Sequence, residues 1–449
     1  EDPVYALKCL FYIRDVRGGQ GERRFFRVAM KDLATNANTV QAAARNLELV
    51  PEFGRWDDLY IFVGTPLEAQ AFAFMKKQLA LDVQCKTPSL LAKWLKSENT
   101  SSADSRALAN KTRIAFGMSH KEYRKTLSIL RERINVLERL MSAGKWDEIE
   151  FDKIPSKAGM KYKNAFARHD FEREQNKAVQ TYADFAKDET KTVNAKTLYP
   201  YECVEEAFKC RRRSMDDTQR LMTNKYWANL ADYINGATFN GMAIVDTSGS
   251  MSGTPMNVAI SLGMYCAEKA QGPFANHFIT FSSNPTFVEV EGVDFCDKVW
   301  RMSNADWGGS TNVEAAFDLM LKTAIDNNCS QDEIPQNLII ISDMEFDSCV
   351  TSGPASTDRW GYGGNRVGRN NTTLFENIAA KWARYGYEMP HLIFWNVDAR
   401  QNNIPMLGNG PVSYVSGFSP SIFETILSGK TGYDLMMEKL DSERYKVIK

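Results

Sequence analysis

The sequence predicts a multidomain chain: an all-α helical repeat of the HEAT type, followed by an α/β domain built on a mostly parallel, Rossmann-like sheet. Three observations carry this. Apolar residues recur at three and four as far as about Tyr233 and then, after Asn240, condense into short continuous runs separated by amphipathic segments. The charge divides at the same place. Residues 1–240 hold 40 Lys and Arg against 32 Asp and Glu, and the remainder holds 15 against 24, so +8 and −9 make up the overall −1. Finally, an apolar run ends at Asp246 in the stretch IVDTSGSMSG, where three serines follow among glycines. These place the domains at 1–235 and 236–449.

At 449 residues the chain exceeds one ordinary core. Hydrophobic residues make up 43% and charged residues 25%, and no apolar run approaches the roughly 18 residues of a membrane span. No secretory leader is visible, and a membrane partner is not expected. The eight cysteines form no CxxC pair and no histidine stands at a zinc spacing, so they read as reduced thiols of a cytoplasmic protein.

In the first half, segments such as LLAKWLKSEN and YRKTLSILRERINVLERLMSAG are helical by period. Breaks at GGQGE, VPEFGRWDD, GTPLE, CKTPS, FGMSHKE and DKIPSKAG divide it into about ten helices. Each helix must bury its stripe on a neighbour, which favours stacked pairs without a strict sequence period. Arginine and lysine suited to phosphate contact gather in three places. Arg14, Arg17, Arg23, Arg24 and Arg27 flank a Gly-rich turn; Lys111, Arg113, His120, Lys121, Arg124 and Lys125 lie mid-domain; and Lys157, Lys161, Lys163 and Arg168 follow. Tyr123, Tyr162 and Phe166 are candidates to stack on unpaired bases. The same residues also suit ion-paired helix faces: Glu22 and Asp15 are near the first group, His120 could serve as a cap, and RERINVLER alternates charge like a solvated face.

In the second half GMAIVD, HFITFS, QNLIIISD, HLIFWNVD and PVSYVS are predicted strands. MNVAISLGMYCAEKA, NVEAAFDLMLKTAIDNN and NTTLFENIAAKWARYG are predicted helices between them. Continuous apolar strands alternating with helices imply a parallel sheet covered on both faces, with ligands at the carboxyl ends of the strands. Asp246 and Asp343 each end such a strand. Asp246, Ser248 and Ser250 put a carboxylate and two hydroxyls on one turn, and Thr311 in GGSTN and Asp343 in IISDMEFD supply oxygens from distant loops. Magnesium takes about six oxygens at ~2.1 Å and is often held by only one or two carboxylates, so this donor set suits Mg²⁺, with Mn²⁺ or Ca²⁺ as alternatives. DxSxS by itself also describes a helix N-cap with an Asx turn. Ser252 reads as a cap and Asp347 as a loop carboxylate.

These residues resemble the von Willebrand factor A domain and its metal-ion-dependent adhesion site. That resemblance implies that Ser248, Ser250 and Thr311 bind the ion directly, that Asp246 and Asp343 act through water, and that a sixth position stays open for an acidic group of a protein partner. The order of helical repeat and A domain looks like the TROVE-plus-A-domain arrangement of the Ro60 ribonucleoprotein family. FYIRDVRGGQGERRFFRVAM, FGRWDDLY and FGMSHKEYRKTLS carry that likeness, which implies RNA bound by the helical half near His120 and Lys121. IPSKAGMKYKNAFARHD, LYPYECV and SDMEF resemble the DUF2828 family over nearly the whole chain. An enzyme is not expected. A phosphatase-like second aspartate is replaced by Ser248, no GK[ST] loop is present, and none of His120, His169, His277 and His391 stands beside an evident nucleophile. The expectation is a non-enzymatic RNA-binding scaffold with a cation-dependent A domain. Its rival is a metal-dependent assembly component without nucleic acid, for instance a packaged viral protein. The segment from Thr351 to Asn371 exceeds ordinary loop length and is expected near the metal face.

Overall fold

The computed structural model describes residues 2–175, 179–212, 217–234, 236, 239–280, 284–303, 313–343, 374–398, 412–419, 422–427 and 432–449. They form two compact units. One comprises residues 1–154, 158–185 and 429–449, and the other comprises 155–157 and 186–428.

The first unit is helical throughout its described residues. Its helices follow the sequence period closely. Glu68–Gln84 buries Ala71, Phe72, Met75 and Leu79, and His120–Arg133 buries Tyr123, Leu127 and Leu130, each an apolar stripe along one helix face. Ends are set by local chemistry. Ser119 and Glu122 form a reciprocal capping box at the start of His120–Arg133, and Gly117 closes the preceding helix in the left-handed conformation at φ 69°. The core joins Phe11, Phe26, Phe53, Phe62, Met75 and Tyr123. A satellite aromatic cluster sets Phe151 against Phe166, Tyr182 and Phe185. Phe166 and Tyr123 are therefore core residues, not stacking platforms for bases.

The chain end belongs to this helical unit. Tyr445 and Ile448 lie in its core, the Tyr445 hydroxyl donates to Asp15 at 2.8 Å, and the Lys449 amide donates to Asn46 at 2.9 Å. A division by sequence texture at 235/236 assigns these residues to the α/β domain, because their partners stand more than 400 positions away.

The second unit carries a six-stranded sheet: β1 (Gly241–Val245), β2 (His277–Thr280), β3 (Phe287–Glu289), β4 (Asn337–Ser342), β5 (His391–Asn396) and β6 (Val412–Ser416). Its order is β3-β2-β1-β4-β5-β6, parallel except for β3. The five predicted strands are present. The antiparallel edge strand β3 was not anticipated, since three residues are too few to show an alternation. One face packs Met242, Ile244, Leu338 and Ile340 against Phe317, Met320 and Trp382 of helices Val313–Asp326 and Leu374–Arg384. Helix Thr254–Lys269 packs against β1, β2 and β4, and a Cβ on its Gly263 would collide with the Val245 side chain.

Helices Pro200–Arg212 and Asp217–Ala228 also belong to this unit. Arg220 grips Asp294 through two bonds of 2.7 and 2.9 Å, and Asn224 adds a third. Burial would raise the Asp294 carboxyl, but Arg220, the Asp297 amide and Asn224 together hold it below the usual carboxylate range. A depressed folded-state value means that the contribution is fully present above the unfolded value of about 3.9 and is lost as pH falls through the folded one. Arg220→Ala should therefore lower the urea midpoint at pH 7, and the difference from wild type should vanish in strong acid, where Asp294 is protonated in both proteins.

Candidate functional site

The strand order reverses between β1 and β4, so the crevice beyond their carboxyl ends is the topological switch point where open α/β sheets bind ligands. Asp246 follows β1 and Asp343 follows β4, and both are buried. The ladder runs on past the strands, with the Asp246 amide donating to Ile341 at 3.0 Å. Each oxygen of the Asp246 carboxylate is engaged. Oδ1 accepts the Ser248 amide at 2.8 Å, closing an Asx turn, and Oδ2 accepts the Ser342 hydroxyl at 2.6 Å. Burial raises the Asp246 carboxyl above its ordinary value, the bonds from Ser342 and Ser248 pull it back, and the Asp343 charge pushes it up again. A divalent cation would relieve both the burial and the repulsion.

The hydroxyls fit such an ion. Ser248 and Ser250 hydrogen-bond to each other, hydroxyl to hydroxyl, with their Oγ atoms 3.0 Å apart. Neighbouring oxygens on an octahedral ion with ~2.1 Å bonds are separated by about 3.0 Å, so the pair already has the bite of two adjacent ligands. The third hydroxyl residue, Thr311, lies outside the described residues, as do Asp347 and the Thr351–Asn371 segment. Helix Val313–Asp326 begins two residues beyond Thr311 and covers the sheet face that carries Met242 and Ile244. Ser252 is not a side-chain cap. Its amide donates to the Gly249 carbonyl, and Gly253 with φ 97° takes the cap position of helix Thr254–Lys269. Ser342 is the contact that sequence reading missed; a hydroxyl closing the apolar run LIII of residues 338–341 was its signal.

The basic candidates of the helical unit sort into two groups. Arg14 is 1% exposed and held by Asp58 through bonds of 2.9 and 2.7 Å, so it cannot reach a phosphate. Lys163 is buried as well, and both leave the set of phosphate contacts. Arg27 is tied to Asp57 and Asp58. Arg113 bonds the Met118 carbonyl and Asn110 and pairs with Glu98, which also meets His120 at 2.7 Å. Ser119, not His120, caps the helix. Arg17, Arg23, Arg24, Lys121, Arg124, Lys161 and Arg168 are exposed, as are Lys111 and Lys125. Arg17 donates to the Glu52 carbonyl, Arg168 to the Asn164 carbonyl, and Lys161 lies over the Tyr162 ring at 4.9 Å. Lys121, Arg124 and Lys125 fall on the solvent side of one helix, opposite its buried stripe.

Similarity to known proteins follows the two halves. A family model described as domain of unknown function DUF2828 matches residues 78–237, and one described as DUF7788 matches 240–447. An uncharacterised protein of Acanthamoeba polyphaga mimivirus, L728, is 32% identical over 467 residues, an alignment covering 96% of this chain and 77% of that protein. Among solved structures, the crystal structure of the Deinococcus radiodurans RO (RSR) protein is matched over 96% of this chain and 94% of that one, at 14% identity and a TM-score of 0.48. No helix among the described residues is long and apolar enough to cross a membrane.

Proposed function

This chain belongs to the DUF2828 family, and on that premise we propose that it is a non-enzymatic RNA-binding scaffold whose α/β unit holds Mg²⁺ to capture an acidic protein partner. The observation that carries the metal reading is the 3.0 Å pair of Ser248 and Ser250 hydroxyls beside an Asp246 carboxylate fixed from two sides. Asp246, Ser248, Ser250 and Asp343, with Thr311, would hold the ion, as Mg²⁺ or in its place Mn²⁺ or Ca²⁺. When bound, the ion supplies a Lewis-acidic position for a carboxylate. The chain's own contribution is to keep the donor oxygens in place and exclude bulk water from the buried aspartates.

The RNA reading is supported by the surplus of Lys and Arg in residues 1–240 and by the exposed row Lys121, Arg124 and Lys125, with Lys111 also exposed. Basic side chains that replace condensed counterions make affinity fall with salt, with a slope of about 0.7 per phosphate contacted on a single strand. Reversing Lys121, Arg124 and Lys125 to Glu should weaken filter binding of single-stranded RNA at low salt and flatten the salt slope by about 2. An unchanged slope, in a variant that unfolds in urea like wild type, would remove this surface from the reading.

A second reading, assembly through protein contacts alone, draws support from the internal pairing of Arg14, Arg27 and Arg113. The 260/280 nm absorbance ratio of purified protein before and after nuclease separates the two. Carried RNA supports the scaffold reading, and its absence together with failure to bind added RNA supports assembly.

A further inference from the structure

We infer that Ser342 is a positioning residue for the cation site: its buried hydroxyl sets the orientation of the Asp246 carboxylate. The inference rests on the metal reading of that site and adds a residue outside the DxSxS, Thr and Asp pattern. Its basis is the sheet register. β1 and β4 pair Met242 with Leu338 and Ile244 with Ile340, and these four side chains share one covered face. Side chains alternate along a strand, so the next position on that face brings Asp246 beside Ser342. The observed bond follows, with Ser342 Oγ at 2.6 Å from Asp246 Oδ2, the short range of a hydroxyl on a carboxylate.

Ser342 is fully buried, in a strand whose preceding four residues are Leu338, Ile339, Ile340 and Ile341. A hydroxyl there is unfavourable by about 1–3 kcal/mol unless it is hydrogen-bonded, and the 2.6 Å bond to Asp246 supplies that compensation. The strand cannot slip to accommodate another arrangement. Ser342 stands in register with Asn396, and its carbonyl accepts the Val397 amide at 3.0 Å. With Oδ1 held by the Ser248 amide and Oδ2 by Ser342, the carboxylate plane is fixed by two elements far apart in sequence. Groups that orient metal-site residues in this way typically change metal affinity about 10- to 100-fold when removed.

The test uses the full chain with Mn²⁺ as the probe, titrated calorimetrically and by the loss of the free-ion EPR signal, alongside thermal unfolding in EDTA and in Mn²⁺. Ser342→Ala is expected to weaken Mn²⁺ binding by about 10- to 100-fold and to shrink the Mn²⁺-induced rise in Tm. Ser342→Thr, which keeps the hydroxyl, should retain most of the affinity. A purely structural serine would lower Tm equally with and without Mn²⁺ and leave affinity alone, and that result overturns the inference. So does an equal loss in the Thr and Ala variants. If wild type binds no Mn²⁺, the site reading itself fails; if wild type binds and Ser342→Ala binds equally well, only the role of Ser342 falls.

Discussion

Asp246→Ala should abolish stabilisation of the protein by divalent cations while leaving the metal-free fold intact. A ligand that binds only the folded state adds about 2.7 kcal/mol when present at 100 times its Kd. In wild type, Mg²⁺ or Mn²⁺ should therefore raise Tm well above its value in EDTA. The buried Asp246 carboxylate gives the folded state nothing comparable without an ion, because burial and the neighbouring Asp343 both disfavour its charged form. Removing it relieves the burial and the repulsion that disfavour the charge, which offsets the loss of the Ser342 bond, so the EDTA Tm should change little beside the lost cation increment. Asp343→Ala should act in the same direction. A full Mg²⁺-induced shift retained in Asp246→Ala would sink the metal reading, since Asp246 is the carboxylate bonded to both Ser248 and Ser342 at the centre of the proposed site.

The strand-end cluster of Asp246, Ser248, Ser250 and Asp343 was legible because its information is local. Asp246, Ser248 and Ser250 fall within five residues, and the hydropathy of GMAIVD and NLIIISD places both aspartates at strand ends whatever the rest of the chain does. Parallel pairing then brings those ends together. The Ser342 contact with Asp246 was less legible, because it depends on the register offset between β1 and β4. The basic residues were not separable by sequence at all. Arg14 and Lys121 look alike along the chain, yet Arg14 meets Asp58, 44 positions on, in the core, whereas Lys121 faces solvent. The helices themselves followed their period, because a repeating apolar stripe needs no knowledge of its partner. The docking of Tyr445 and Ile448 into the helical unit is the longest-range case, and only a packed core reveals it.

Asp58→Ala should be the most destabilising single change in the helical unit outside its apolar core. Asp58 is fully buried and gathers four donors: Nε and an Nη of Arg14 at 2.9 and 2.7 Å, Nε of Arg27 at 2.7 Å, and the Arg55 amide at 3.0 Å. The site is closed around them, for a Cβ on Gly54 would collide with the Asp58 carboxylate and meet Arg14 Nε at 2.9 Å. Removing the carboxylate leaves the Arg14 guanidinium in the core without its counter-charge. Breaking a buried pair from one side costs about 3–5 kcal/mol, since the stranded charge keeps its desolvation penalty. Lys121→Ala, a solvent-facing basic residue in the same unit, should stay within about 0.5 kcal/mol of wild type. Urea unfolding of both variants measures the contrast, and amide exchange places it: protection should fall first in helices Pro3–Arg14 and Arg24–Thr35, which carry Arg14 and Arg27. An Asp58→Ala protein as stable as Lys121→Ala would mean that Arg14 has a second way to satisfy its charge, and would return it to the residues available for phosphate.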